Sequence, residues 1–233
     1  MKICYLLPLT GLSGTEKARR ERILNRVAFH GTDVELCQIA DGPPSIESSV
    51  DEYRAMPQVL SFIMQRQGDF DGFIIGCAGD TGLEGAREQS RKPVVGPGEA
   101  SIVLGALGDK LFSMITISSE RARIKRRLVR EAGVAEHRLV SSHTLGIPVL
   151  DLPRDPARTQ AALITALREA RGKGAEVMLL GCMSVAFMEP ALLFEAASIA
   201  GIPLVNPIVS AVKLAESLVA MSQYGQTERQ AAA

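Results

Sequence analysis

Asp71-Gly72-Phe73-Ile74-Ile75-Gly76-Cys77 and Glu176-Val177-Met178-Leu179-Leu180-Gly181-Cys182 are the stretches that decide the fold. In each, an apolar run of strand length ends in Gly-Cys, and a helical pattern follows. Runs that stay apolar along their whole length, interleaved with helices, read as parallel strands covered on both faces. The likeness continues outward. Lys2 to Thr10 aligns with Lys110 to Ser118 at an offset of 108, and the cysteine stretches lie 105 apart. Pro93-Val94-Val95-Gly96-Pro97 aligns with Pro203-Leu204-Val205-Asn206-Pro207 at 110. Three blocks in one order at near-constant spacing read as a duplicated α/β unit.

Strands are expected at 2–8, 33–39, 71–76, 93–95, 111–117, 137–142, 176–181 and 203–205. Helices are expected near 15–30, 52–67, 82–90, 98–107, 119–132, 156–172, 187–200 and 207–222. The fold class is therefore α/β: two pseudo-symmetric domains, 1–100 and 101–206, each a parallel sheet covered by helices. Residues 224–233 carry no apolar period and are expected to form a disordered tail.

Composition sets the function classes. With 46% apolar residues in 233, the chain can fill a sizeable core. Lys and Arg number 26 and so do Asp and Glu, leaving no net field to attract nucleic acid or a membrane surface. Aromatic content is 4% with no Trp, which argues against base-stacking platforms. The apolar start is too short to span a bilayer and lacks the regions of a signal peptide. A cytoplasmic protein with four reduced cysteines is expected.

The carboxyl ends of strands in open α/β sheets form the ligand crevice, and both Cys77 and Cys182 fall there. Each is expected to precede a helix, whose N–H groups and dipole favour a thiolate. Gly79 and Gly82 leave backbone N–H groups open after Cys77, a nest suited to an oxyanion. Cys4 and Cys37 sit within apolar strands and read as space-filling. Other cysteine chemistries fit less well. Only His30, His137 and His143 are present, none at zinc-site spacing from a cysteine. No Cys-x-x-Cys pair and no phosphate-binding glycine loop occur. A Cys–His hydrolase with His143 as base would leave the second Gly-Cys unexplained. The basic run Arg121 to Arg130 reads as a solvated helix face.

Two thiols on opposite sides of one carbon suit stereochemical inversion. One thiolate removes a proton from an acidic C–H, and the other thiol delivers a proton to the opposite face. The enolate-like intermediate needs hydrogen-bond donors on its oxygen. Neither step calls for a metal or an organic cofactor.

Further residues carry a resemblance. Gly42-Pro43-Pro44-Ser45-Ile46-Glu47 resembles the Gly-Pro-x-Ser-Ile-Glu block of the hydantoin and allantoin racemases, within the aspartate/glutamate racemase superfamily. Gly76-Cys77-Ala78-Gly79-Asp80-Thr81-Gly82-Leu83 is similar to that group's first cysteine motif, and Leu180-Gly181-Cys182 to its second. Ile147-Pro148-Val149-Leu150-Asp151-Leu152 and Ala211-Val212-Lys213-Leu214-Ala215-Glu216 resemble two further blocks. The resemblance implies Cys77 and Cys182 as acid/base residues in a cleft between the two domains, no cofactor and a small-molecule substrate. It also implies a homo-oligomer and a last helix, 207–222, packed back on the first domain.

With the cysteine motifs come Ala78, Gly79, Asp80, Met183 and Ser184 as substrate-binding candidates. Thr10 and Ser118, at equivalent repeat positions, join Thr116 and Ser119 as hydroxyl donors, although Ser118 and Ser119 equally suit helix capping. Asp80 would orient a ligand nitrogen or cap the next helix. Asn206 ends a strand at the crevice, and Ser45 and Glu47 lie in a loop that would form its rim. The chain departs from the family where Leu7-Pro8-Leu9-Thr10 replaces the usual Asn-Pro-Asn-Thr, and where Met183-Ser184-Val185 replaces Ala-Gly-Met. These changes leave the reaction class better defined than the substrate. Alternatives are an aspartate-like amino-acid racemase, a dicarboxylate isomerase or decarboxylase, and a binding protein without turnover.

Overall fold

The apolar runs fold as two four-stranded parallel sheets with the same connectivity. The computed structural model describes residues 1–149, 151–152 and 154–231; for Ser119, Glu120 and 226–231 it describes the backbone alone. The first sheet has strand order β2-β1-β3-β4, from β1 (Lys2–Leu7), β2 (Asp33–Gln38), β3 (Gly72–Ile75) and β4 (Val94–Val95). Its helices are α1 (Gly14–Val27), α2 (Ser49–Arg66) and α3 (Leu83–Gln89). The second sheet has order β6-β5-β7-β8, from β5 (Phe112–Thr116), β6 (Leu139–Thr144), β7 (Val177–Leu180) and β8 (Leu204–Val205). Around it run α4 (Pro97–Gly105), α5 (Ser119–Glu131), α6 (Pro156–Gly172), α7 (Met183–Ala186) and α8 (Pro190–Ala200), and α9 (Pro207–Ala231) closes the chain. No helix among the described residues is long and apolar enough to cross a membrane.

The central strands are buried end to end, as their unbroken apolar runs require. On one face of the second sheet, Phe112, Met114, Val177 and Leu179 pack with Ile102 and Ala106 of α4 and its end and with Leu128 and Val129 of α5. The opposite face carries Ser113, and a register shift after the Phe112–Leu139 pair brings Ser141 and His143 to that face as well.

Met1–Gly76, Asp80–Gly96 and Ala211–Ala233 form one compact unit, and Cys77–Gly79 with Pro97–Ser210 the other. The C-terminal helix is held in the first unit by the Ala211–Glu216 block. Glu216, buried, accepts a hydrogen bond from the Phe29 N–H at 2.7 Å and pairs with Lys213 at 2.9 Å. The Lys213 ammonium also lies 3.2 Å from the centroid of the Phe29 ring. Gly72 leaves room for Val219, whose Cγ2 stands 2.8 Å from where a glycine-replacing Cβ would be.

Three sequence expectations need correction. The helix expected at 187–200 begins only at Pro190, which opens α8 at its first turn, and the four-residue α7 ahead of it was not expected. The tail expected to be disordered from residue 224 continues α9 to Ala231; its Gln, Glu, Arg and Ala residues favour helix without any apolar stripe. Residues 232–233 lie outside the described residues, as does Leu150 of the Ile147–Leu152 block.

The third correction concerns register. Ile3 pairs with Gly72 and Leu6 with Ile75, whereas Phe112 pairs with Val177 and Ile115 with Leu180. Gly72 and Val177 are 105 apart, so Ile3 corresponds to Phe112 and the first-strand offset is 109 rather than 108. Matching the two lysines slipped the strands by one residue, which exchanges their faces. Thr10 consequently corresponds to Ser119, not Ser118.

Candidate active site

Each Gly-Cys turn is built the same way. A Cβ on Gly76 would stand 3.0 Å from the Leu6 carbonyl oxygen and 2.6 Å from the Tyr5 ring. A Cβ on Gly181 would stand 2.3 Å from the Ile115 oxygen and 3.0 Å from Met114 Cγ. Leu6 and Ile115 are equivalent at offset 109, as are Tyr5 and Met114. Glycine is required at both places because the neighbouring central strand passes too close for a side chain. The Gly76 N–H donates to the Leu6 carbonyl at 2.7 Å. This fixes where the chain leaves the sheet and therefore where Cys77 begins.

Beyond the glycines the two turns diverge. Cys77 enters a loop that reaches α3 only at Leu83, with Asp80 (φ 53°) and Gly82 (φ 77°) both left-handed. The expected helix dipole is thus absent from Cys77, six residues before α3. In its place, the Gly79 N–H donates to Cys77 Sγ at 3.3 Å, a contact that favours the thiolate. Cys182 instead stands directly at the N-cap of the four-residue α7, and its carbonyl accepts from the Ala186 N–H at 3.1 Å. Its side chain does not cap that helix. Cys77 is half-buried and Cys182 is 7% exposed. None of the four cysteines forms a disulfide. Burial pushes the Cys4 thiol well above its ordinary range, and Cys37 donates to Glu35 at 3.4 Å. Cys4 suits the space-filling reading, whereas Cys37 is half-buried and makes a polar contact.

The other candidates sort by what already holds them. Ala78 is buried, and its carbonyl accepts a hydrogen bond from the Lys125 ammonium. Asp80 does not cap α3, whose N-cap is Gly82. Its carboxylate lies against Gly96, where a Cβ would come within 2.4 Å of Asp80 Cγ. Thr10 donates to the carbonyls of Gly42 and Pro43 at 3.1 and 3.3 Å, and its own N–H meets Pro43 at 2.9 Å. The Gly42–Glu47 block is therefore stitched to the end of β1, with Ser45 donating to Glu47 at 2.9 Å.

In the second unit, Ser118 is the N-cap of α5 and accepts from the Arg121 N–H at 3.3 Å, the capping role. Thr116, buried, donates to the Ser118 carbonyl at 2.8 Å. The side chain of Ser119 lies outside the described residues. Met183 is buried and Ser184 half-buried on α7. The Asn206 amide is occupied at both ends: it donates to the Ala186 carbonyl at 3.0 Å and accepts from the Ile208 N–H at 2.9 Å. It joins the end of α7 to the start of α9, where a ligand contact had been expected.

His143 is a core residue. Its Nε2 lies 2.8 Å from Ser141 Oγ, which is 2.7 Å from Ser113 Oγ, and its Nδ1 lies 3.2 Å from Glu169 on α6. Burial holds its pKa below the ordinary histidine value. A neutral ring completes the chain: Ser113 donates to Ser141, Ser141 to Nε2, and Nδ1–H to Glu169.

Three residues were missed from sequence. Thr81 is 2% exposed, and its Oγ1 has no hydrogen-bond partner among the described residues, an uncommon state for a buried hydroxyl. Lys125 was assigned to a solvated face, yet it is 3% exposed and Arg121 is 4% exposed. Arg121, Lys125, Leu128 and Ala132 recur at helical spacing, so both cations fall on the inward stripe of α5. That spacing was the signal; the density of basic residues obscured it.

Comparison with known proteins bears on this geometry. The sequence model of a family described as Asp/Glu/Hydantoin racemase matches residues 6–215. A hydantoin racemase of Pseudomonas sp. (strain NS671) is 34% identical over 221 residues, covering 94% of this chain and 86% of that protein. An allantoin racemase structure from Klebsiella pneumoniae is similar with a TM-score of 0.82 and 30% identity, over 95% of this chain and 89% of that one. One from Pseudomonas fluorescens gives 0.84 and 26%, over 95% and 92%.

Proposed function

The chain belongs to the Asp/Glu/Hydantoin racemase family and is an isomerase, and from that premise we propose racemisation of a 5-substituted hydantoin or related ureide such as allantoin. Cys77 and Cys182 are the two acid/base groups, acting on opposite faces of one ring carbon. The single observation that carries this reading is the equivalence of the two turns. Each thiol follows a glycine pressed against the carbonyl of the same central-strand position.

The chemistry is a proton exchange. The substrate C–H lies beside a carbonyl, so its electron pair can pass to oxygen as the bond breaks. A thiolate takes that proton and becomes a thiol. The second thiol gives its proton to the opposite face, the electron pair returns to carbon, and the second sulfur is left as thiolate. One turnover thus exchanges the protonation states of Cys77 and Cys182, which readies the site for the other enantiomer. The oxygen that gains charge calls for a hydrogen-bond donor beside the two turns. Leu7 is wholly buried, and Thr10 already donates to backbone. Ring recognition accordingly rests on the turns rather than on the end of β1.

Single enantiomers of hydantoins, of allantoin and of aspartate, incubated in deuterated water, test the reading. Solvent deuterium should enter as optical rotation decays, for the ureides and not for aspartate. Cys77→Ser and Cys182→Ser should each slow inversion by about 10²–10⁴-fold, the scale of a lost acid/base group. A variant that keeps most of its rate refutes the two-base assignment.

A further inference from the structure

We infer that Lys125 is the positioning charge shared by both cysteine turns, a buried ammonium that holds the Cys77 loop in place and draws both thiols toward their thiolate forms. The inference rests on the two-thiol reading and deepens it.

Lys125 touches both turns. Its Nζ donates to the carbonyl of Ala78, the residue after Cys77. Its Cε lies 3.2 Å from where a Cβ on Gly181, the residue before Cys182, would stand. The Cys77–Gly79 segment, Lys125 and Gly181 all belong to one compact unit. Glycine at 181 thus serves two purposes: it admits the Ile115 carbonyl, and it lets the lysine stem pass on its way to Ala78.

A buried ammonium is costly unless its surroundings compensate it. Its field therefore acts at low local dielectric, where a charge one residue away matters more than in water. Near a cation the thiolate is favoured and the thiol pKa falls. A two-base racemase needs one thiolate and one thiol in alternation, with both pKa values near the working pH. A charge carried on a side chain that reaches both turns meets that need from either direction of turnover. Among the charged groups of the same unit, Arg121 lies one turn earlier on the same buried stripe of α5, and its positive charge has the same sign of effect.

Lys125→Gln separates the two functions, since a glutamine amide can donate to Ala78 without carrying charge. The rate of alkylation of Cys77 and of Cys182, followed peptide by peptide against pH, reports each thiol's pKa without any substrate. In Lys125→Gln both titrations should move upward by about one unit or more. Both limbs of the kcat/KM pH profile should move the same way. Lys125→Arg, which keeps the charge, should leave both thiol titrations where they are. Unshifted titrations in a Gln variant with native melting behaviour overturn the inference. In the unsubstituted chain, the Lys125 ammonium nitrogen resonance should move as the thiols titrate. A resonance that stays fixed overturns the inference with no variant at all. Failure here is distinct from failure of the racemase reading, which would show as inversion surviving in Cys77→Ser or Cys182→Ser.

Discussion

The turn after β3 and the turn after β7 start alike and end differently. Both place a glycine against the carbonyl of the equivalent central-strand residue and follow it with cysteine. Then one becomes a left-handed loop with an N–H on its sulfur, while the other passes at once into a short helix with its cysteine buried. The shared half is backbone geometry, which leaves no freedom. The divergent half sets exposure and hydrogen bonding, which tune each thiol separately. On the proposed two-base mechanism, the two thiols need a common anchor but not a common environment.

The largest test of this contrast is functional. Cys77→Ser and Cys182→Ser should each lose inversion by about 10²–10⁴-fold. Each should still exchange the substrate proton with solvent for one enantiomer only, and the two enantiomers should differ. Exchange of the same enantiomer in both variants would place the sulfurs on one face.

Next come the anchors. In Gly181→Ala the new methyl meets the Ile115 backbone at 2.3 Å, which cannot give way, and a loss of about 3 kcal/mol is expected. In Gly76→Ala the nearest atom belongs to the Tyr5 ring at 2.6 Å, with the Leu6 carbonyl at 3.0 Å. A ring can shift more easily than backbone, so about 1–2 kcal/mol is expected. Chemical denaturation of both variants checks the order, and a reversed order would show that the turns are not anchored as described.

A smaller contrast sets the polar groups of the two units side by side. Glu216→Gln weakens the acceptor of the Phe29 N–H and should cost about 1–3 kcal/mol in the first unit. In the second unit the response should depend on pH. Burial lowers the His143 pKa, so the folded chain keeps the ring neutral while the unfolded chain binds a proton below about pH 6.5. The native contribution is complete above that pH and is lost as the pH falls toward the lowered value. His143→Gln should lower stability near pH 8, where the ring's contribution is complete, and flatten its dependence on pH in that window. Equal acid sensitivity in both chains would remove His143 from the account.

The repeat, the parallel sheets and the position of both cysteines were legible because buried parallel strands leave unbroken apolar runs. Register was not: Lys2 and Lys110 match by chance of type, and only pairing with β3 and β7 shows that Ile3 corresponds to Phe112. The helix after Cys77 was placed to within a residue at each end, but the left-handed Asp80 in the loop before it carries no sequence signature. Asn206 and Ser118 were legible as polar groups at strand and helix ends. Whether such groups meet a ligand or the backbone is a tertiary matter, and here the backbone takes both. Lys125 was hidden by its neighbours, because a run of basic residues looks solvated until helical spacing is applied to it.

Each of the two units borrows from the other's half of the sequence. Cys77–Gly79 joins the unit formed by Pro97–Ser210, and Ala211 onward returns to the unit formed by the N-terminal sheet. Severing the chain at the repeat boundary would therefore strip one fragment of its first thiol and the other of its closing helix. Neither piece should survive as an autonomous relic of the duplication, and separately expressed halves should regain order only when mixed.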